Sequence, residues 1–424
     1  MKYSILTFGC RVNQADSMDI ERELRQQGGR AASGEHPDLI VVNSCSVTAA
    51  ADQGTRQAIR RVARENPDAR IVVTGCYATR CPEELAALPS VVAVVPNDRK
   101  DRLASEVMTT AERYTGADGP CGAPFLLDRT ALTIRVQTGC EERCSYCIIP
   151  TTRGASRSKP VASVVEELSR AEASGFLEVT LTGVHVGAYG RDLDPPAPLS
   201  DLLEAAVRCT SRLLIRLGSL EPMDAPLSLV ELASTGRVAP AFHLPLQHAS
   251  DAVLGRMRRP YALDDYRRTV DRIRAWLPHA AIGSDIIVGF PGESESEFET
   301  LCEYLESSPL TALHVFPYSD RPGTEATKMA GKVAGPLVRD RGRVVREIGQ
   351  ALTTKFKRSQ VGSVRPALTI EDGSSVVTDN GLRLRLRSPH ARNERVVVRI
   401  GEGDTAEQDR GNPSRRVACG PTPS

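Results

Sequence analysis

Short apolar runs alternate with polar, amphipathic stretches over the first hundred residues of the chain. The apolar runs lie at Tyr3 to Phe8, Leu39 to Asn43, Arg70 to Thr74 and Val91 to Val95. The stretches between them with helical periodicity are Asp16 to Gln27, Thr55 to Arg64 and Pro82 to Leu88. Because strands that alternate with helices pair in parallel, this pattern predicts an α/β domain with a parallel sheet.

A second alternation of the same kind runs from about residue 130 to residue 355. Its predicted strands are Leu132 to Gln137, Glu178 to Thr182, Leu213 to Leu217, Ala241 to Leu244, Ala281 to Val288 and Ala312 to Phe316. Helical patterns separate them, beginning with Val161 to Ser174 and Leu199 to Cys209. Six parallel strands with crossover helices fit a partial (βα)₆ barrel, whose working loops follow the C-terminal ends of the strands.

The pattern breaks twice and so divides the chain. Tyr114 to Pro124 is rich in Gly and Pro and is interpreted as a linker. After Pro336, a helical pattern at Arg339 to Lys357 precedes short strands between Ser363 and Ile400. We predict an α/β domain at 1–118, a barrel domain at 125–355, a small C-terminal β-barrel at 356–403 and a disordered tail at 404–424.

Charge is balanced over the whole chain but not along it. With 54 Lys and Arg against 53 Asp and Glu, the formal charge is +1, which favours neither a nucleic-acid binder nor a membrane-surface protein. However, residues 336–400 carry 14 basic and 6 acidic side chains, a balance of +8, whereas residues 1–335 sum to −6. A basic segment of this kind suits contact with RNA phosphate.

The cysteines do not fit a secreted protein. The chain has 11 of them, an odd number, and no basic and then apolar leader at Met1. Its apolar runs are far shorter than the roughly 18 residues that a membrane-spanning helix needs. We therefore expect a cytoplasmic protein with no membrane contact, whose reduced thiols have another use.

The most specific motif is Cys140-Glu-Glu-Arg-Cys144-Ser-Tyr-Cys147, a Cys-x₃-Cys-x₂-Cys run just after a predicted strand. Three thiolates in one loop repel one another unless a soft metal centre compensates their charge. A structural zinc site needs a fourth protein ligand, and no Cys or His lies nearby in sequence. Zinc with a remote fourth ligand and three unligated thiols remain alternatives to a four-iron cluster with one open iron.

Three other cysteines share a position rather than a motif. Cys10, Cys45 and Cys76 each lie just past the C-terminal end of a predicted strand of the first sheet. Because loops after parallel strands converge at one edge, these thiols are predicted to bind a second cluster together. The remaining cysteines share no pattern and are interpreted as structural: Cys81, Cys121, Cys209, Cys302 and Cys419.

With these motifs, nearly the whole chain resembles the methylthiotransferases of the radical S-adenosylmethionine class. The Cys-x₃-Cys-x₂-Cys run is typical of that superfamily, the N-terminal cysteines match its extra cluster-binding domain, and the basic C-terminal segment matches its small RNA-binding β-barrel, called TRAM. Three stretches are similar to the branch that acts on N6-threonylcarbamoyladenosine in tRNA: Thr7 to Gln14, Ser284 to Glu293 and His314 to Ser319.

The resemblance implies two [4Fe–4S] clusters and S-adenosylmethionine as cofactors. Cys140, Cys144 and Cys147 would hold the cluster that cleaves S-adenosylmethionine to a radical, which suits an adenine C2–H that has no usable acidity. Cys10, Cys45 and Cys76 would hold the cluster that carries the sulfur. Cofactor contacts carried over from the superfamily are Tyr146, Gly183, Ser219 and Glu221. A core aromatic remains the less favoured alternative for Tyr146, and Gly218 stands where a serine is expected.

The same resemblance gives the partners. The substrate would be a tRNA anticodon loop, with a flavodoxin or ferredoxin as electron donor and a separate source of sulfur. Arg383, Arg385 and Arg387 alternate along one strand, so their guanidinium groups share a face that favours phosphate contact. The histidines at predicted strand ends, His185, His243, His248 and His314, receive no role.

The function that follows is methylthiolation of N6-threonylcarbamoyladenosine at C2, next to the anticodon. Two other substrates of the family remain open, namely isopentenyladenosine in tRNA and an aspartate of a ribosomal protein. Arg11, in the first of the three stretches, favours the threonylcarbamoyl branch by resemblance. A non-catalytic, zinc-bearing RNA-binding protein is the alternative from another class.

Overall fold

A computed structural model describes residues 1–108, 130–225 and 227–409. The predicted linker at Tyr114 to Pro124 lies outside these ranges, as do Cys121 and Cys419. Among residues 1–108, five strands form a parallel sheet in the order β2-β1-β3-β4-β5. The strands are β1 Lys2–Thr7, β2 Arg30–Ala31, β3 Leu39–Ser44, β4 Arg70–Gly75 and β5 Val91–Val95. The helices are α1 Arg11–Gln26, α2 Ala49–Glu65, α3 Cys76–Arg80, α4 Pro82–Ala86 and α5 Leu103–Val107.

This first domain is built around its two central strands, β3 and β4. Every residue of β3 is buried, and one apolar core lies on each face of the sheet. One core gathers Ile40, Val42 and Ile71, and the other gathers Leu39, Val41 and Val72. Strands that are apolar on both faces need helices on both sides, so the α/β prediction is confirmed.

Parallel strands arranged in chain order make up the central domain. The strands are β6 Ala131–Arg135, β7 Gln137–Thr138, β8 Arg157–Ser158, β9 Glu178–Thr182, β10 Leu214–Leu217, β11 Ala241–His243, β12 Ala281–Val288 and β13 Ala312–Pro317. One sheet has the order β10-β9-β6 and the other β11-β12-β13, and a parallel bridge from Ile215 to Val238 links them. Among the described strands of this domain, β7 and β8 alone lie outside the two sheets, as an antiparallel pair. The partial (βα)₆ barrel predicted from the sequence is confirmed.

Helices cover the outside of this barrel and complete its core. They are α6 Ile149–Arg153, α7 Val161–Ala173, α8 Leu199–Cys209, α9 Leu227–Ser234, α10 Asp251–Met257, α11 Leu263–Trp276, α12 Glu295–Ser307 and α13 Gly335–Gln360. Val179, Ile215 and Ile286 of the strands belong to one large core with side chains of α7, α8, α9, α11, α12 and α13. The opposite face of each strand lines the barrel interior, where Thr180 and Asp285 lie.

A closed five-stranded barrel forms the C-terminal module, in the order β14-β15-β16-β18-β17. Its strands are β14 Val364–Ile370, β15 Ser375–Thr378, β16 Arg383–Leu386, β17 Arg395–Ile400 and β18 Thr405–Gln408. The predicted disordered tail at 404–424 is therefore wrong at its start, because β18 pairs with β16 and β17 and closes the barrel. The predicted boundary between residues 355 and 356 falls inside α13, which continues to Gln360.

The module lies against the N-terminal ends of the central strands. Arg216 of β10 donates to the carbonyls of Thr378 and Asp379 at 2.8 and 2.9 Å, and Arg395 donates to those of Leu177 and Arg212 at 3.0 and 2.7 Å. The module is thus attached at the end of the barrel opposite to the loops that follow its strands. Each helix in the described part of the chain is too short or too polar to cross a membrane.

Two buried carboxylates of the first domain join it to the central barrel. Asp16 of α1 lies 2.9 Å from Arg135 of β6 and 3.0 Å from Arg153 of α6. Asp52 of α2 lies 2.6 Å from Arg321, just after β13. Because buried charges are stable only when paired, these contacts fix how the two domains face each other.

Candidate active site

The cysteine loop between β7 and α6 is held by its backbone. The Cys140 amide donates to the Gly154 carbonyl at 3.0 Å, and the Cys147 amide donates to the Cys144 carbonyl at 3.1 Å. Ser145 is tied to the end of α10, since its amide donates to the Met257 carbonyl at 3.0 Å. Backbone hydrogen bonds therefore determine the shape of the loop that carries the three thiols.

Cationic side chains face this loop. Arg259 places Nη1 3.2 Å from the Cys144 sulfur and also pairs with Glu221. His185 lies 2.7 Å from Asp224. Burial lowers the pKa of His185, but the contacts with Asp224 and Cys140 outweigh it and raise the pKa to about 10. A protonated imidazole and a guanidinium would thus compensate the negative charge of these two sulfurs when they bind a metal centre as thiolates.

The second set of cysteines lies at one edge of the N-terminal sheet, as predicted. Cys10, Cys45 and Cys76 follow β1, β3 and β4, which are neighbours in the sheet. The loop after β1 touches Cys45 directly, because a Cβ added to Gly9 would lie 2.5 Å from its sulfur, and Gly9 has a φ of +88°. Burial raises the pKa of the Cys45 thiol to about 11, and the charges of Cys10 and Cys76 add to the effect.

A short helix connects the two sets. It is α6, which begins two residues after Cys147 and ends at Arg153. Burial lowers the pKa of Arg153, but Asp16 and the thiols of Cys76 and Cys10 together raise it. From the other side, Asn97 donates to the Cys76 sulfur at 3.6 Å and to the Thr152 carbonyl at 2.8 Å. The two sets of thiols therefore belong to one region between the domains.

The chemistry of the thiols fits clusters better than single ions. In a tetrahedral zinc site with Zn–S bonds of about 2.3 Å, sulfurs lie about 3.8 Å apart. In the described ranges, the His, Cys, Asp and Glu side chains form one trio whose ligand atoms all lie within 4.8 Å of one another, and it contains no cysteine. Burial raises the pKa of the Cys147 thiol to about 12, so an incoming metal must displace its proton. Neither set of cysteine sulfurs is therefore spaced as closely as a single zinc ion requires. A wider spacing of the sulfurs suits a polynuclear cluster, in which each thiolate binds its own iron.

Comparison with known proteins agrees with this geometry. Residues 2–96 match the uncharacterized protein family UPF0004, and residues 134–305 match the radical SAM superfamily. The chain is 35% identical over 402 residues to the threonylcarbamoyladenosine tRNA methylthiotransferase MtaB of Aquifex aeolicus, covering 91% of this chain and 96% of that protein. It is 31% identical over 446 residues to the tRNA-2-methylthio-N(6)-dimethylallyladenosine synthase of a Parafrankia species, covering 99% and 90%.

The chain belongs to the radical S-adenosylmethionine methylthiotransferase family. Its fold is similar to that of the radical S-adenosylmethionine methyltransferase TsrM from Kitasatospora setae, with a TM-score of 0.55, 16% identity and coverage of 74% and 72% of the two chains. The family resemblance drawn from the motifs is thereby confirmed. This methylthiotransferase is an iron–sulfur enzyme of tRNA modification that uses S-adenosylmethionine.

The predicted contacts to S-adenosylmethionine are spread around the mouth of the barrel. Tyr146 packs edge to face on Phe290, with ring centroids 6.3 Å apart, in a small apolar cluster. Gly183 follows β9, where a Cβ would lie 2.9 Å from the Gln137 side-chain oxygen. Glu221 is held by Arg259 beside Cys144. Their role in binding the cofactor stays a prediction.

Ser219 lies with side chains to which the sequence assigned no role. Its Oγ is 2.7 Å from His243 Nδ1, and Asp285 Oδ1 lies 3.0 Å from His243 Nε2 and 3.2 Å from His314 Nδ1. The two histidines and the aspartate come from β11, β12 and β13 and line the barrel interior. Sequence reasoning noted the two histidines without assigning them a role, and it missed Asp285, Arg153 and Arg259. Arg153 ends α6 and Arg259 follows α10, so their positions at helix ends were the signal available in the sequence.

The three arginines predicted to bind RNA are exposed along and just after β16, with leucines buried between them. Two of them already have partners: Arg383 pairs with Glu371, and Arg387 lies 3.1 Å from Glu407. Arg385 has no carboxylate within 4.0 Å among the described residues. The shared face is present, but its free positive charge is concentrated on one residue.

Three of the five cysteines interpreted as structural lie in the described ranges. Cys81 packs against an apolar core of the first domain, and Cys209 and Cys302 pack against the core of the barrel. Cys209 also donates to the Ala206 carbonyl within its own helix at 3.3 Å. This packing against apolar cores agrees with the structural interpretation of these three cysteines.

Proposed function

We propose that this methylthiotransferase inserts a methylthio group at C2 of N6-threonylcarbamoyladenosine, next to the anticodon of tRNA, and that it uses two four-iron clusters. The observation that carries the proposal is the pair of cysteine sets joined by α6. Cys140, Cys144 and Cys147 adjoin one end of this helix, and Arg153 at its other end faces the N-terminal set. Two neighbouring cluster sites suit a reaction in which one site activates the adenosine C2–H and the other supplies the methylthio group.

The side chains around each set have separate tasks. Cys140, Cys144 and Cys147 would hold one cluster, and Cys10, Cys45 and Cys76 would hold the other. When bound, the two clusters supply the electron that cleaves S-adenosylmethionine and the sulfur that is transferred. Arg259 and Arg153 balance the charge of the sulfurs, while Glu221 keeps Arg259 in place.

The choice of substrate rests on the relatives. The threonylcarbamoyladenosine enzymes of Aquifex aeolicus and Bacillus subtilis are 35% and 34% identical to this chain, and the dimethylallyladenosine enzyme of the Parafrankia species is 31% identical. These values favour the threonylcarbamoyl substrate and keep the dimethylallyl substrate as the second candidate. A ribosomal protein has no support among these relatives. We further propose a flavodoxin or ferredoxin as electron donor and a separate protein as sulfur source, and the cytoplasmic location stays a prediction.

The tRNA nucleosides of a strain that lacks the gene test the proposal. We expect mass spectrometry to show loss of the 2-methylthio derivative of N6-threonylcarbamoyladenosine and its return when the gene is restored. A gene encoding the Cys140→Ala protein should not restore it. Persistence of this derivative, with loss of the isopentenyladenosine derivative instead, would show that the substrate is the second candidate.

The basic face of the C-terminal module should contribute unequal contacts to tRNA. Arg385→Gln removes the one arginine of β16 that no carboxylate neutralises, so we expect weaker binding and a salt dependence reduced by about one phosphate contact. Glu371→Gln frees Arg383 and should strengthen binding instead. Fluorescence anisotropy with labelled tRNA at several salt concentrations measures both effects. Equal affinities for these two variants and the wild type would contradict an RNA contact on this face.

A further inference from the structure

Arg11 is a cation at the barrel interior that no carboxylate neutralises. It is the first residue of α1, directly after Cys10, and its Nη1 lies 3.5 Å from Thr180 Oγ1 on β9. No Asp or Glu oxygen of the described residues comes within 4.0 Å of its guanidinium. The neighbouring Arg216, in contrast, is paired with Glu178 at 2.7 Å. The positive charge of Arg11 is therefore free for a ligand.

His314 faces the same space from β13. Its Nδ1 lies 3.2 Å from Asp285 Oδ1, and its side chain is 63% exposed. Asp285 is shared with His243, whose ring is 5.2 Å from that of His314 and whose other nitrogen is bound to Ser219. Because Asp285 and His243 support it from one side, His314 presents its remaining nitrogen to the open interior.

Arg11 and His314 face the same barrel interior, Arg11 beside Thr180 of β9 and His314 beside Asp285 of β12. The hydrogen bond with Asp285 raises the pKa of His314, and the positive charge of Arg11 acts against it. Arg216 and Glu178, which are paired with each other, also act on Arg11 and offset each other's charge. Asp285 contacts both histidines and Glu178 is paired with Arg216, so Arg11 is left without a carboxylate of its own. A pocket with an excess cation and several N–H donors suits an anion, and above all a carboxylate.

We propose that Arg11 and His314 bind a carboxylate on the N6 substituent of the substrate base and thereby select an acidic substituent over an apolar one. The inference rests on the proposed function, because the threonylcarbamoyl group ends in a carboxylate and the dimethylallyl group has none. An apolar substituent would cover Arg11 without pairing it, and sites that leave a charged group unpaired reject the wrong ligand strongly. Asp285 is a positioning residue, which orients His314.

Steady-state kinetics of the holoenzyme with modified anticodon stem-loops test this inference. One RNA carries N6-threonylcarbamoyladenosine, and a second carries the same group with its carboxylate converted to a carboxamide. For the wild type we expect a KM about 10- to 100-fold lower for the acid than for the amide, as for a charge-assisted contact. Arg11→Gln should raise the KM for the acid to that for the amide and change the latter by less than about threefold.

Matched variants separate this role from damage to the fold. Arg22→Gln lies on the same helix, pairs only with Asp19 at the surface and should keep the preference for the acid. His314→Gln should reduce the preference by about three- to tenfold. Arg11 adjoins Cys10, so iron content is measured for each variant. If Arg11→Gln loses iron, Arg11→Lys decides, because it restores the charge and should restore the preference.

The outcomes distinguish two failures. If the wild type methylthiolates only the dimethylallyl RNA, the proposed function is wrong and this inference falls with it. If the wild type acts on the threonylcarbamoyl RNA and treats acid and amide alike, the function stands and the inference is wrong. The inference would also be overturned if Arg11→Gln kept the full preference for the RNA with the carboxylate, or if Arg11→Lys lost this preference.

Discussion

Cys140→Ala protein purified without oxygen is expected to hold about four irons per chain instead of about eight, and to cleave no S-adenosylmethionine. The reason is local, because Cys140 is one of three thiols in a loop held by its backbone, and each of these thiols would bind one iron. The second set, at Cys10, Cys45 and Cys76, should keep its iron, because its ligands come from other loops. Iron and sulfide analysis, with chromatography of the cleavage products, measures both effects.

Two further variants complete this experiment. Cys209→Ala changes a thiol on α8 that packs against the barrel core, and it should retain all the iron and full activity. Cys76→Ala should also halve the iron, but it should still cleave S-adenosylmethionine while transferring no methylthio group. Full turnover by Cys140→Ala would contradict its role as a ligand. One or two zinc ions and no iron in the wild type would favour a zinc-bearing RNA-binding protein instead.

Periodicity predicted the elements that pack against a single apolar core. Strands β9 and β12 and helix α8 have the predicted bounds, residue for residue, because apolar side chains on each of them face the core of the barrel. Helix α1 was predicted from Asp16 but begins at Arg11. Its first turn buries Asn13, which donates to the carbonyls of Phe8 and Ser44 at 2.8 and 2.9 Å. A buried polar residue that forms hydrogen bonds with the backbone of other segments adds nothing to the periodic pattern of apolar residues, so it cannot be recognised from that pattern.

The missed strand β18 shows the same limit. Of its four residues only Ala406 is buried, so the segment resembles a polar tail in sequence. It becomes a strand because β16 and β17 each have a free edge, and β18 pairs with both of them. Ala406 lies opposite Leu386 of β16 and opposite Ile400 of β17. Such pairing depends on the barrel being closed and cannot be read from local composition.

The cysteines of the candidate site could be predicted, because their position along the chain determines where they lie in the fold. The end of a parallel strand can be recognised in sequence, and both sets of cysteines lie after strands. The charged groups around them were not predictable. Arg259 reaches Cys144 from 115 positions away, and Arg153 reaches Asp16 from 137. The first contact depends on how the loops of the barrel pack, and the second on how the two domains face each other.

Asp16→Asn should lower the free energy of unfolding by about 3–5 kcal/mol, the usual cost of removing one partner from a buried ionic network. The Asp16 carboxylate is fully buried and lies 2.8 Å from Lys100, 2.9 Å from Arg135 and 3.0 Å from Arg153. The variant would leave these three cations close together without their shared anion. Because two of them belong to the barrel domain, the first domain should also separate from the barrel more easily.

The pH dependence distinguishes this ionic role from loss of packing. Burial alone would raise the pKa of Asp16, but Lys100, Arg153 and Arg135 outweigh it and hold the pKa well below its ordinary value. A lowered pKa means that the stabilisation is complete above the ordinary carboxyl pKa of about 4 and is lost as the pH falls below it. The difference between wild type and Asp16→Asn in urea unfolding should therefore stay constant from pH 8 to pH 5.

Asp264→Asn is the matched control for this substitution. Asp264 is 76% exposed and lies 3.4 Å from Arg267 on the same helix, so its loss should change the free energy of unfolding by less than about 0.5 kcal/mol. If Asp16→Asn is equally mild, the carboxylate does not hold the domains together. If its effect instead shrinks between pH 8 and pH 5, Asp16 titrates in that range, and the three cations do not stabilise its charge as their distances require.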